Sequence, residues 1–177
     1  MFLTHINKMA PHGNFEKTRD NIINTGNQLG DKEEESIRTI STLASRIFKD
    51  NITVLLHGHS RIVEESLKDA SKTWAIQALV TECRPLCEGY DMVESLRKSG
   101  VEVELILDSA VASVMDRVDA VLVGSEAVVE NGGIVNKIGT YSIALIAKTF
   151  QRPLYVMTES LKFMRSYPLS CADLPKS

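Results

Sequence analysis

The sequence predicts an α/β protein: a parallel sheet of about five strands with flanking helices, preceded by a short helical segment. Three observations predict it. Apolar runs of about five residues, rich in Val and Ile, recur five times after Asn51. Amphipathic stretches with helical spacing separate them, and each run gives way to polar or charged residues at its carboxyl end. Runs that are apolar at every position suit strands covered on both faces, as in parallel sheets built from βα repeats. Their length and β-branched content favour strands over buried helix segments, which such runs would also fit.

Residues 1–49 read differently from the rest. Met1–Met9 and Phe15–Gln28 read as helices, punctuated by Pro11-His12-Gly13 and by Gly30. Asp31-Lys32-Glu33-Glu34 then offers an N-cap and an acidic first turn to a helix over 36–49. In that helix Ile37, Ile40, Leu43, Ala44, Ile47 and Phe48 recur at helical spacing. Bulky apolar residues are few outside it. The expected division is therefore a helical segment at 1–49, the remnant of a larger helical domain, and the sheet domain at 50–177.

The alternation begins with the run Ile52–Leu56, followed by a helix over Ser60–Ser71 with Val63, Leu67 and Ala70 on one face. Trp74–Val80 is the second run, and a helix over Asp91–Lys98 is closed by Gly100 as its C′ residue. Val101–Leu107 is the third run, and a short helix carries Val111, Val114, Met115 and Val118. Ala120–Val123 is the fourth run and Leu154–Met157 the fifth; between them Gly132-Gly133 leads to a helix from about Lys137 to Phe150.

Composition narrows the function classes. The 177 residues suit one core, and 44% hydrophobic with 24% charged residues is an ordinary globular balance. A net charge of −3 and a pI near 5.8 supply no basic surplus for direct nucleic-acid binding. The three cysteines (Cys83, Cys87, Cys171) form no CxxC pair and no metal-ligand spacing with histidine, so reduced thiols and no metal are expected. Met1–Ile6 is too polar for a signal peptide, and no apolar stretch nears the roughly 20 residues that span a bilayer. The expectation is a cytoplasmic protein without a membrane segment.

In open α/β sheets ligands bind beyond the carboxyl ends of the strands. The residues after the five runs are His57-Gly58-His59-Ser60-Arg61, Thr81-Glu82-Cys83-Arg84-Pro85, Asp108-Ser109, Gly124-Ser125-Glu126 and Thr158-Glu159-Ser160. Each has a bland reading. Asp108-Ser109 and Thr158-Glu159-Ser160 suit helix caps, His57 and His59 suit backbone hydrogen bonds, and Glu82 with Arg84 suits a surface pair. Five polar ends on one rim favour a site.

The sharpest stretch is Glu130-Asn131-Gly132-Gly133-Ile134-Val135-Asn136-Lys137-Ile138-Gly139-Thr140. Paired glycines permit a tight backbone, and Asn136-Lys137 is expected to open a helix whose free N–H groups favour an anion. A lysine there opposes the helix dipole, which an external phosphate would explain. The GxxxxGK[ST] spacing is absent, as is a GxGxxG after the first run, so no nucleotide cofactor is expected.

These residues carry a resemblance. Val123–Glu126, Glu130–Thr140, Pro153–Val156 and Glu159-Ser160-Leu161-Lys162-Phe163 closely resemble the alpha-subunit branch of the translation initiation factor two-B family. The likeness covers nearly the whole chain and is strongest from about residue 76. The wider family includes the beta and delta subunits, methylthioribose-1-phosphate isomerase and ribose-1,5-bisphosphate isomerase. The resemblance implies a Rossmann-like domain that pairs with another copy, as a homodimer, or with a paralogue. It also implies a regulatory role in the factor that exchanges guanine nucleotide on initiation factor two.

In the isomerases of that family a cysteine after the first strand and an aspartate after the fourth transfer the proton of the aldose–ketose conversion. The matching positions here are Gly58, which has no reactive group, and Glu126, whose carboxylate is displaced by a methylene. Their position on the second loop keeps Cys83 and Cys87 from being read as replacements. The resemblance thus implies no catalytic residue and a retained sugar-phosphate site built from Arg61, Glu82, Arg84, Asp108, Glu126, Asn136 and Lys137; active isomerisation is the alternative. It also implies a larger helical domain before Asn51 and a tail past Leu174-Pro175, with weakened recognition of initiation factor two by this chain alone.

Overall fold

The computed structural model describes residues 15–170 and 173. The helix expected over Met1–Met9, the Pro11-His12-Gly13 break, Cys171 and Leu174-Pro175 lie outside the described residues. Two compact units divide between Ser36 and Ile37.

Helix α1 spans Phe15–Ala44. The two helices expected here, broken at Gly30 and restarted by Asp31, are one. A glycine inside a helix costs about 1 kcal/mol relative to alanine but does not forbid the geometry. The carboxyl end also stops earlier than expected: Ile47 and Phe48 follow the helix, and Phe48 is buried.

Strands β1 (Ile52–Leu56), β2 (Ile76–Thr81), β3 (Glu102–Ile106) and β4 (Ala120–Val123) form most of the sheet. A hairpin of β5 (Ala127–Val128) and β6 (Ile134–Val135) follows β4, and β7 (Leu154–Val156) completes the sheet. Its order is β3-β2-β1-β4-β7, and every neighbouring pair is parallel, as the apolar runs predict. The hairpin was not expected, because two strands of two residues carry no periodicity.

Helices α2 (Arg61–Ser71), α3 (Glu88–Lys98), α4 (Val111–Val114) and α5 (Thr140–Thr149) connect the strands, with 3₁₀ turns at Asp108–Ala110 and Met115–Arg117 on either side of α4. Two cores result. Val54, Leu56, Ala78 and Val80 pack with Ile62, Val63 and Leu67 of α2 and with Met92 and Leu96 of α3; Ile37, Ala44 and Phe48 join this cluster. Leu55, Leu79, Val121 and Val123 pack on the other face with Val111, Met115, Ile143 and Ala147. Adjacent residues of β1 thus enter opposite cores, which is why the run carries no polar alternation.

Three boundaries differ from expectation. Trp74 lies ahead of β2 and is exposed, α3 starts three residues earlier than Asp91, and α5 starts three residues later than Lys137. The chain proceeds from β1 to β2 and β3 on one side, then crosses to β4 on the other side of β1. Such a reversal leaves a crevice at the carboxyl ends of the two central strands, where Gly58 and Glu126 emerge.

Candidate functional site

The end of β1 is held by its histidine. His57 is buried; its Nε2 donates to the Ile138 carbonyl at 2.7 Å, and its Nδ1 lies 2.6 Å from Thr81 Oγ1 at the end of β2. One imidazole therefore ties together β1, β2 and the segment entering α5. Gly139 makes this possible: its φ is +101°, and a Cβ there would stand 2.9 Å from the imidazole.

Gly58 follows with φ +74°. A Cβ on it would lie 3.5 Å from Lys137 Cγ, 3.6 Å from Glu88 Oε2 and 3.8 Å from Cys83 Sγ, all ordinary van der Waals separations. The crevice beside Gly58 is therefore lined by a carboxylate, a lysine stem and a thiol. Cys83 also sits 3.9 Å from His57 Nε2. Cys83 comes close to Gly58 although it stands on the loop after β2, because the left-handed backbone at Cys83 (φ 57°) turns the loop back over the end of β1. Burial foremost, then the carboxylates of Glu88 and Asp108, push the Cys83 thiol up to about 11. It is a protonated thiol at neutral pH.

The loop after β2 is clamped from β3. Asp108 accepts the N–H groups of Cys83 at 2.9 Å and Arg84 at 2.8 Å. Its carboxylate is thus spent on positioning the loop. Arg84, in a cis peptide with Pro85, donates from Nε to Glu82 at 3.0 Å and stays largely exposed. Beyond the loop, Gly89 packs so tightly that a Cβ would stand 1.9 Å from the Thr81 carbonyl oxygen. That close seat carries Glu88 into the crevice.

Lys137 is the hub. Its ammonium lies 3.0 Å from Glu88 Oε1 and 3.1 Å from Glu126 Oε1, and those hydrogen bonds, Glu88 first, hold its pKa above the ordinary lysine value. The sequence places Lys137 at the start of a helix, exposed for an external anion. In the structure it precedes α5 by three residues, and its charge is met by the protein's own carboxylates. The helix-dipole reason for a phosphate at this lysine therefore falls. Glu88 Oε2 in this corner and Asn136 Nδ2, of the residue before Lys137, are buried without a hydrogen-bond partner among the described residues.

A second carboxylate contrasts with Glu88. Glu64, in the first turn of α2, receives hydrogen bonds from Lys68, Ser95 and His59. Burial opposes its ionisation, yet the bonds from Lys68, Ser95 and His59 outweigh that and draw the carboxyl down to about 2. This cluster fastens α2 to α3 and fixes the loop after β1.

Glu126 and Lys137 thus meet at one corner, with Asn136 preceding Lys137 in the chain; Glu82 pairs with Arg84, and Asp108 braces the loop after β2. Arg61 opens α2 on the rim and is exposed. Glu88 and Cys83 complete the corner and were absent from the expected site. A glutamate in a first helical turn reads as dipole stabilisation, and only the Glu-Gly seat on the end of β2 distinguishes it. Among the described residues no group of three or more His, Cys, Asp or Glu is arranged to hold a metal, and no helix is long and apolar enough to cross a membrane.

The initiation factor 2 subunit family model matches residues 1–176. Translation initiation factor eIF2B subunit alpha of Dictyostelium discoideum is 46% identical over 162 residues, 91% of this chain and 50% of that protein. The Caenorhabditis elegans protein of the same name is 44% identical over 77% of this chain and 45% of its own length. Ribose 1,5-bisphosphate isomerase of Archaeoglobus fulgidus is 36% identical over 84% of this chain and 48% of that protein. The chain spans about half the length of these relatives. In fold it is similar to the crystal structure of Pyrococcus horikoshii translation initiation factor eIF-2B, with a TM-score of 0.82 and 24% identity over 98% of this chain and 62% of that one. The structure of eIF2B beta from Chaetomium thermophilum follows at 0.69 and 20%, over 85% of this chain and 50% of that one.

Proposed function

The chain belongs to the initiation factor 2 subunit family, and from that premise we propose that it is a regulatory, non-catalytic subunit of the guanine-nucleotide exchange factor for translation initiation factor two, holding a sugar phosphate at the rim of its sheet. The observation that carries the non-catalytic half is Gly58: the place where the isomerases of the family are expected to hold a cysteine has no side chain. The neighbouring thiol of Cys83 does not compensate. With its pKa near 11 only about one molecule in ten thousand carries a thiolate at pH 7.

The ligand half is supported by Glu88 Oε2 beside Gly58 and Asn136 Nδ2, both buried without a hydrogen-bond partner among the described residues, and by a relative named for its action on a sugar bisphosphate. Arg61, Glu82, Arg84, Asp108, Glu126, Asn136 and Lys137 make up the proposed rim, with Asp108 bracing rather than touching the ligand. Assembly with other subunits of the exchange factor, pairing with a second copy, a cytoplasmic location and a 1–49 segment left from a helical domain belong to the same proposal. Exposed Tyr141 and Leu145 on α5, and exposed Tyr155 and Val156 on the edge strand β7, support a pairing surface.

The alternative, an active aldose–ketose isomerase, is favoured by the closeness of Cys83 to Gly58 and by the archaeal relative. Incubation with ribose 1,5-bisphosphate separates the two. The expected result is a raised melting temperature without any ketose product. Ketose formation that disappears in Glu126→Gln would overturn the non-catalytic reading.

A further inference from the structure

A groove of about 430 Å³ lies at the amino ends of β1, β2 and β3, the opposite edge of the sheet from the crevice. The fold explains why it is open. Helix α4 is four residues long and packs with Leu55 and Leu79. Thr53, Gln77 and Glu102 stand in register one pleat nearer the amino ends, on the same face, and are half-buried or exposed. Trp74, the chain's one tryptophan, lines this groove and is 40% exposed. An indole left to water beside a groove suits a docking anchor better than a core residue. The groove is also short of cations. Glu102 accepts from Gln77 Nε2 at 3.0 Å, and Asp50, at the edge, accepts from the Ala75 N–H at 3.0 Å. Neither carboxylate forms an ion pair among the described residues; Lys49 and Lys72 are held by Asp119 and Asp69. Glu104, two residues along the same face, receives the guanidinium of Arg117 at 2.8 Å. Glu102 has a similar setting without the arginine.

We propose that this groove docks an arginine side chain of a protein partner, its guanidinium stacked on Trp74 and paired with Glu102. Charge complementarity selects the occupant, because an aromatic ring and two carboxylates without a counter-ion all favour a cation. The guanidinium suits the set best: it is planar, gives forked donors to a carboxylate, and stacks on an aromatic ring at the same time. A lysine ammonium is a compact, strongly hydrated charge that forms no planar stack. Quaternary ammonium ligands call for a cage of several aromatics, and Trp74 is the one aromatic residue lining this groove. The same carboxylates turn away phosphate-bearing partners, nucleic acid and anionic membranes included. The groove stands apart from the crevice, so its failure would leave the sugar-phosphate reading untouched.

With a single tryptophan in the chain, fluorescence emission reports this groove alone. Titration of the unmodified chain with a blocked pentapeptide, one arginine between glycines, is expected to change that emission saturably, with a dissociation constant of about 1 mM. The counterpart carrying neutral citrulline should leave it unchanged. Calorimetry with the arginine peptide should show about a tenfold loss of affinity in Glu102→Gln, the loss of a charged hydrogen-bond partner, and a loss of about the same size in Trp74→Ala. Both side chains are exposed, so neither substitution endangers the fold. No emission change at about 10 mM arginine peptide would overturn the proposal, as would equal binding of the citrulline peptide. Equal affinity for a lysine counterpart would reduce the groove to plain charge and overturn the stacked guanidinium. Undiminished binding by either variant would also sink it. Emission that shifts with protein concentration alone would seat a second copy in the groove and displace the arginine reading.

Discussion

Helices α2 and α3 follow neighbouring strands, lie over the same face of the sheet, and each brings a carboxylate to the rim in its first turn. The two carboxylates have opposite fates. Glu64 has every oxygen met, by Lys68, Ser95 and His59. Glu88 has one oxygen on Lys137 and one buried with no partner among the described residues. A satisfied buried charge fastens elements together, whereas an unsatisfied one costs stability and persists where a ligand completes it. The comparison separates the fastening from the site on a rim where both look alike in sequence.

The comparison breaks most drastically at Gly89, which seats the start of α3. A methyl group there meets the Thr81 carbonyl oxygen at 1.9 Å, and backbone cannot yield. Gly89→Ala is expected to cost about 4 kcal/mol or to prevent folding, read from urea denaturation.

Next comes Glu64. Its carboxyl is drawn from 4.5 to about 2, so the folded state holds the proton less tightly than the unfolded chain. The stability this supplies is fully present above about pH 4.5 and is lost as pH falls toward about 2, some 3 kcal/mol in all. Urea titrations across that range should show the decline in the unmodified chain and a much flatter profile in Glu64→Ala. That variant should also start about 3 kcal/mol lower at pH 7, because it removes the acceptor shared by Lys68, Ser95 and His59. A profile unchanged by the substitution would remove Glu64 from the fastening role.

The smallest effect sharpens the contrast. Without ligand, Glu88→Gln should shift stability by less than about 1 kcal/mol, since Lys137 keeps Glu126 at 3.1 Å and a neutral amide is cheaper to bury than a half-met carboxylate. Equal destabilisation by Glu64→Ala and Glu88→Gln would erase the difference between the two helix starts.

Much of this was legible in the chain. The five apolar runs became five parallel strands because both faces of each central strand are covered, which removes polar alternation. Glu126, read from a strand end, and Lys137, read from the stretch after Gly132-Gly133, stand 3.1 Å apart. The helix break at Gly30 failed, since a glycine only weakens a helix that other residues support. The hairpin of β5 and β6 was illegible because its strands are too short to show a period.

By itself, the sequence determined what period and burial encode: strands, helices, their alternation, and which end of the sheet carries polar groups. Tertiary structure alone decided the partners. Lys137 is claimed by Glu88 from 49 positions earlier, and Cys83 is folded over Gly58 by a left-handed turn. Charge and hydrogen bonding act over a few ångströms of space, and separation along a chain does not record such distances.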